Sequence, residues 1–334
     1  VSPPALEPFR HTVAVMVQNN SRHEDSTHDA NLTAFGSFML RNGLTPATAL
    51  CIARQLLNER WDNGLKWRRA SMLDWLQYDV FRHLAKKFNI DFGSFFANST
   101  AHYQHYYWRN MQPGSFHSPP DESDHRSLGG AIQYGYQSMD RLLGRFMVDF
   151  PHYLLVLCTA LSQEAWADST KITYRPRDFA ELLRFTGISP HTVEVQPIMA
   201  EEFIIRFANE EAVWQGMQRF GRLSVDGRPL MEFKREGNAL VGGCAVNETG
   251  ALEWPIGGGQ DGSERALKDL FHQVNGVRSG RHSPEGVLWC RTGEHGIKPD
   301  PVDLIDIAPT ILDRLGVPQP DYMTGHPLAL PVMV

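Results

Sequence analysis

The chain has 334 residues, with 32 Lys and Arg against 38 Asp and Glu, a net charge of −6. That balance argues against a protein that coats nucleic acid, which carries a basic excess to displace counterions. A composition 42% hydrophobic and 21% charged describes a globular chain, long enough for one large domain or two ordinary ones.

Residues 1–30 mix Pro, Asn, Ser and His around a short apolar patch at 13–17, and read as a strand within loop. The opening Val-Ser-Pro-Pro has neither a charged nor an apolar leader region, so it does not read as a secretory signal. A chain starting at Val1 reads as processed or as a fragment. Residues 46–88 read as helices: Leu50, Ala53, Leu56 and Leu57 recur at helical spacing, as do Met72, Leu73, Leu76, Val80 and Leu84. A short apolar run at 91–96 predicts a strand, with loop over 98–101 and a long loop over 112–126. Residues 130–149 predict a helix with Ile132, Tyr136, Met139, Leu142, Leu143 and Phe146 on one side. The Leu- and Val-rich run at 153–158 predicts a strand buried on both faces.

The middle changes character. Strands are expected at 193–195, 203–207 and 237–245, with a helix near 209–220. A hairpin turns at Asp226-Gly227. Residues 257–259 read as loop, 287–290 as strand and 306–315 as a helix with Ile307, Ile311 and Leu315 inward. Strands alternating with helices predict an α/β fold with a mainly parallel central sheet. The expected organisation is an N-terminal part of the core over 1–189, an inserted α+β subdomain or cap over 190–260, and a C-terminal part of the core over 261–334.

No run of about 18 apolar residues is present, so no membrane span is expected. The four cysteines, Cys51, Cys158, Cys244 and Cys290, form no C-x-x-C pair. Cys158 and Cys290 sit in apolar runs and read as buried thiols, which favours a reducing, cytoplasmic setting. Two disulfides in a secreted chain would fit the same count.

Among the fourteen histidines, two clusters stand out. His102 and His105 lie three apart just after a predicted strand, so on a helical turn both imidazoles reach one side. They also lie among Tyr103, Tyr106, Tyr107 and Trp108, where the plain reading is aromatic packing rather than stacking on a base or sugar. His282 sits in a polar turn, flanked by Arg281 and Arg291, whose guanidinium forks suit phosphate oxygens. The Gly-rich stretch 257–262 lacks the Lys-Ser/Thr of a phosphate loop and reads as a flexible loop. The imidazoles and carboxylates between His23 and Asp29 read as a solvated loop.

Three stretches near the C-terminus carry a family resemblance: His282-Ser-Pro-Glu-Gly-Val-Leu; Val302-Asp-Leu-Ile-Asp-Ile-Ala-Pro-Thr-Ile-Leu followed by Gly316-Val-Pro-Gln-Pro320; and Met323-Thr-Gly-His-Pro-Leu328. In this order they resemble the end of the alkaline phosphatase superfamily, in its type I phosphodiesterase/nucleotide pyrophosphatase branch. Thr100, Gln104, His105 and Trp108 resemble that branch's T-D-x-x-Q-H-x-x-W motif. Together the matches cover about a third of the chain.

The resemblance implies an α/β sandwich with a two-metal site that clamps a phosphate ester. It matches His105 and His282 to two imidazole ligands of the first metal. Three departures follow from the same register. Ala101 stands where the family has Asp. Ala160 and Leu161 stand where it has the Asp and His of the second metal. No segment matches its nucleophile. What remains is a His-rich site suited to one zinc or another divalent ion, with His102 as a third imidazole by adjacency. The expected function is a divergent metal-dependent phosphohydrolase or phosphodiesterase acting on a small phosphorylated substrate. The alternatives are a non-catalytic homologue that binds or scaffolds a protein partner, or one part of a larger enzyme whose N-terminal half lies elsewhere.

Overall fold

The computed structural model describes residues 4–20, 32–167, 172–198, 202–260, 262, 264–274, 278–293, 295–297 and 300–330. Side chains are described from residue 4 to 14 and from 32 onward within those ranges. The loop expected between His23 and Asp29 lies outside them. The chain divides into two compact units, one made of 1–38 with 168–278, the other of 39–167 with 279–334. The segment 190–260 lies inside the first.

The chain opens with helices. Residues 13–17 fall within α1 (Glu7–Asn20) instead of a strand. Phe9 and Val13 are one helical turn apart, and Phe9 stacks on Phe35 of α2 (Leu32–Arg41) at 5.9 Å. A five-residue apolar run suits either periodicity, and the packing of its neighbours decides. Thr45 caps α3 (Pro46–Trp61), accepting from the Thr48 N–H. Its own N–H donates to buried Asp79 of α4 (Arg69–Phe88) at 2.7 Å, which ties the two helices together.

Residues 91–96 form no strand. They run irregularly, and Phe95 joins a ring cluster with Phe81, Phe146 and fully buried Tyr78. The expected loop at 98–101 instead opens α5 (Ser99–Met111). The expected long loop at 112–126 holds a 3-10 turn and α6 (Glu122–Leu128), capped by Asp121. The helix expected over 130–149 forms as α7 (Ala131–Asp149).

The run at 153–158 yields only β1 (Val156–Thr159), with Val156, Cys158 and Thr159 exposed, so it is not a doubly buried strand. Then comes β2 (Ser162–Ala165). Cys158 is exposed and Cys290 half-buried, and neither forms a disulfide. No helix among the described residues is long and apolar enough to cross a membrane.

The middle segment builds its own core. In chain order come β3 (Tyr174–Pro176), α8 (Phe179–Thr186), β4 (Val193–Pro197), β5 (Phe203–Phe207) and α9 (Glu210–Phe220). They are followed by β6 (Ser224–Val225), β7 (Arg228–Pro229), β8 (Met231–Glu236), β9 (Ala239–Cys244) and β10 (Pro255–Gly257). Last are β11 (Arg265–Ala266), α10 (Leu267–Leu270) and β12 (Phe271–Gln273). The order β4-β5-β9-β8 forms one sheet, β11-β10-β6-β7 another, and β12 pairs β3. Phe203, Ile205 and Leu240 of the first sheet and Val213 and Phe220 of α9 are buried in one apolar cluster. The β6–β7 turn is the expected one: Asp226 and Gly227 both have positive φ, 50° and 70°, as a two-residue hairpin requires.

The chain then returns to the second unit with β13 (Gly280–Ser283), β14 (Val287–Cys290) and α11 (Ile307–Arg314). β1 pairs with β14 and β2 with β13, forming one ribbon interrupted where Ala160-Leu161 face residues 284–286. The α11 motif is clasped by the chain end. Asp306 accepts the His326 N–H and Thr310 Oγ1 accepts the Leu328 N–H, both at 2.8 Å. The fold mixes helix and sheet, as expected, but every strand pair among the described residues is antiparallel. The expected parallel central sheet is therefore corrected. Its strands pair through short hairpins or with partners returning from far along the chain, not through the helical crossovers a parallel pair needs.

Candidate functional site

The site is assembled where α5 meets the β2–β13 ribbon. Asp74 of α4 is buried and accepts the N–H groups of Asn98 (3.2 Å) and Ser99 (3.1 Å), satisfying donors that α5 leaves open at its start. Burial pushes the Asp74 carboxyl up, against the pull of its hydrogen bonds from Ser99 and Asn98. One side of α5 is anchored in the helical core. Tyr103 is fully buried against Trp67 and Tyr134, and Gln104 Nε2 donates to Tyr136 at 2.9 Å.

The other side of α5 meets the ribbon. The Ser279 N–H donates to the His105 carbonyl at 2.8 Å, and Gln163 Nε2 donates to the Ala101 carbonyl at 3.1 Å. Gly280 makes the approach possible. A Cβ there would stand 2.1 Å from the Gln104 carbonyl oxygen and 2.5 Å from Trp108 Cδ1. No other residue type fits so close a crossing.

This crossing joins the two histidines that the motifs single out. The His105 and His282 rings lie 4.9 Å apart at 61°. His105 Nδ1 is 3.3 Å from the Gly280 carbonyl. A backbone carbonyl on one ring nitrogen is the kind of contact that orients metal-ligating imidazoles. His282 is exposed and stands directly opposite Gln163 in the ribbon.

His102 is half-buried, its ring 5.0 Å from Tyr106 and 5.8 Å from Tyr103. Burial, and then the neighbouring charge of His105, push its pKa down to about 4, so it is neutral at pH 7. The same burial raises the Tyr107 hydroxyl to about 12. Arg281 alternates to the opposite side of the strand from His282, and its Nε donates to Glu164 at 2.8 Å. Arg291 donates to the carbonyls of Met147, Phe150 and Pro151. Both guanidiniums thus bind protein groups.

The donor set decides what ion the residues fit. Two imidazoles sharing one tetrahedral zinc, at about 2.0–2.1 Å from each nitrogen, have ring centres roughly 5 Å apart. The His105–His282 pair fits that spacing. Among the described residues, no three His, Cys, Asp or Glu side chains are arranged around one ion. Ala101 presents a methyl group, and Ala160 and Leu161 stand at the ribbon's interruption with apolar side chains. Among the described residues, the His105–His282 ring spacing is that of two imidazoles on one ion, and no further His, Cys, Asp or Glu joins them.

Sequence reasoning missed three contributors. Gln163, in Ser-Gln-Glu-Ala, shows no alternation that would mark its face. Asp74 sits mid-helix, 24 residues from the backbone it caps. Gly280, two residues before His282 and so on its face of the strand, carried the one readable signal. No protein-family model, curated protein or solved structure matches the chain.

Proposed function

We propose that this chain is a divergent metal-dependent hydrolase of phosphate esters whose centre is the His105–His282 pair. One observation carries the reading. Two histidines from separate motifs, on segments 175 positions apart at the His105–Gly280 contact, meet at a ring separation of 4.9 Å. His105 and His282 would hold a divalent ion, which would supply Lewis-acid stabilisation of charge on phosphoryl oxygens. The chain's own residues do the rest. The Gly280 carbonyl fixes the His105 ring, and the ribbon fixes His282. Exposed His282 leaves the site open to a substrate from solvent. Neutral His102 adds no charge beside it at pH 7.

The test is hydrolysis of bis(4-nitrophenyl) phosphate and 4-nitrophenyl phosphate by the purified chain with zinc or manganese. His105→Ala and His282→Ala are expected to lose metal uptake and hydrolysis together. Parent-level hydrolysis in both variants would sink the assignment.

A second reading, a non-catalytic binding module, is favoured by Ala101, Ala160 and Leu161, which offer an ion no donor. It predicts no turnover of either ester, with or without metal uptake.

A further inference from the structure

We infer that the side-chain oxygen of Gln163 is the third protein donor to the ion held by His105 and His282, an inference that rests on the metal-centre reading above. Gln163 and His282 are paired directly across the ribbon, so their side chains are neighbours on one face. That is the face turned to α5, because Gln163 Nε2 donates to the Ala101 carbonyl, one helical turn before His105. The bond fixes the orientation of the amide, with nitrogen to Ala101 and oxygen free of it.

Gln163 Oε1 is buried and has no hydrogen-bond partner among the described residues. A buried acceptor left unpaired costs about 1–3 kcal/mol, so native folds give such an atom a donor or a cation. Among the described residues on either side of it, no carboxylate shares its face. Ala101 has only a methyl group, and Glu164 alternates to the other face, where it holds Arg281. Two imidazoles and an amide oxygen make a neutral donor set. A divalent ion on it keeps its full charge, which suits an anionic phosphate ester and a borderline ion such as zinc, manganese or cobalt.

The experiment titrates the full chain with cobalt(II), read by its visible absorption, and with zinc(II), read by calorimetry. His105→Ala and His282→Ala are the ligand-loss references. Gln163→Leu should weaken binding on the order of 10–100-fold. Gln163→Glu places a carboxylate at the same point and should bind more tightly than Gln163→Leu, with a shifted cobalt spectrum. If Gln163 only ties the ribbon to α5, both variants weaken equally and the spectrum does not move. That result overturns the inference. Parent-like affinity in both variants, with binding lost in the histidine variants, also overturns it while leaving the two-histidine centre standing. An unsubstituted chain that takes up no ion overturns both readings. Circular dichroism confirms folding, and Gln163→Glu carries the spectroscopic test if Gln163→Leu does not fold.

Discussion

Gly280→Ala puts the largest structural demand on the smallest change. The new methyl would stand 2.1 Å from the Gln104 carbonyl oxygen, closer than real Cβ contacts come, and the obstacle is helix backbone. Strand and helix must part by about 1 Å, and overpacking of this kind costs about 1–3 kcal/mol. The seam holds the Ser279-to-His105 and Gln163-to-Ala101 hydrogen bonds, and loss of one adds about 1 kcal/mol. The expected destabilisation is therefore about 2–4 kcal/mol. It should appear in urea unfolding followed by tryptophan fluorescence, because Trp108 packs at the seam. Zinc affinity should fall with it as His282 draws away from His105. Gly144→Ala on α7, where a Cβ meets nothing within 4 Å, is the control and should be neutral or stabilising by up to about 1 kcal/mol. A Gly280→Ala chain within about 0.5 kcal/mol of its parent would show that the crossing is not held by close approach.

Two further outcomes concern pH. The pKa of His102 in the fold, about 4, lies below its ordinary 6.5, so the unfolded chain takes the proton first. Its contribution is complete above pH 6.5 and is lost as pH falls toward 4, by at most about 3 kcal/mol. His102→Gln should remove that loss, and equal acid sensitivity of variant and parent in urea midpoints at pH 7.5 and 4.5 would contradict it. Asp74 has the opposite sign. Its pKa is raised above 3.8 by burial, so its contribution is present below that value and lost as pH climbs through the raised one. Asp74→Asn keeps an oxygen for only one of the Asn98 and Ser99 N–H groups, a constant cost, but removes the titration, so it should gain on the parent as pH rises from 4 to 7. A constant stability difference across that range would refute the burial argument.

Local patterns read well where local packing decides. α7, β4, β5, β9 and the Asp226-Gly227 hairpin follow from spacing and turn chemistry over a few residues. The failures lie where distant partners decide. Residues 98–101 look like a loop because Asn, Ser and Thr favour turns, yet Asp74 supplies the acceptors that start a helix there. Cys158 looks buried because its neighbours are Leu and Val, yet β1 finds its partner in β14 and keeps an open side. Strand direction was unreadable for the same reason. Alternation of strands and helices suggests crossovers, whereas pairing with a strand from beyond a whole inserted unit leaves no local trace. In the candidate site, the motifs pointed to His105 and His282, while Gln163 emerges only from the register opposite His282.

The chain order of the two units sets a schedule for synthesis. The buried apolar cluster of the middle segment lies entirely within 172–271, so all its members have left the ribosome before β13 is made. α5 leaves earlier but has no ribbon to meet. At about 5–20 residues per second, the 175 positions between His105 and Gly280 take roughly 10–35 s to appear. Through that interval the α5 face destined for β13 stands uncovered on the nascent chain, and a chaperone that shields it would act on this side of the helix first.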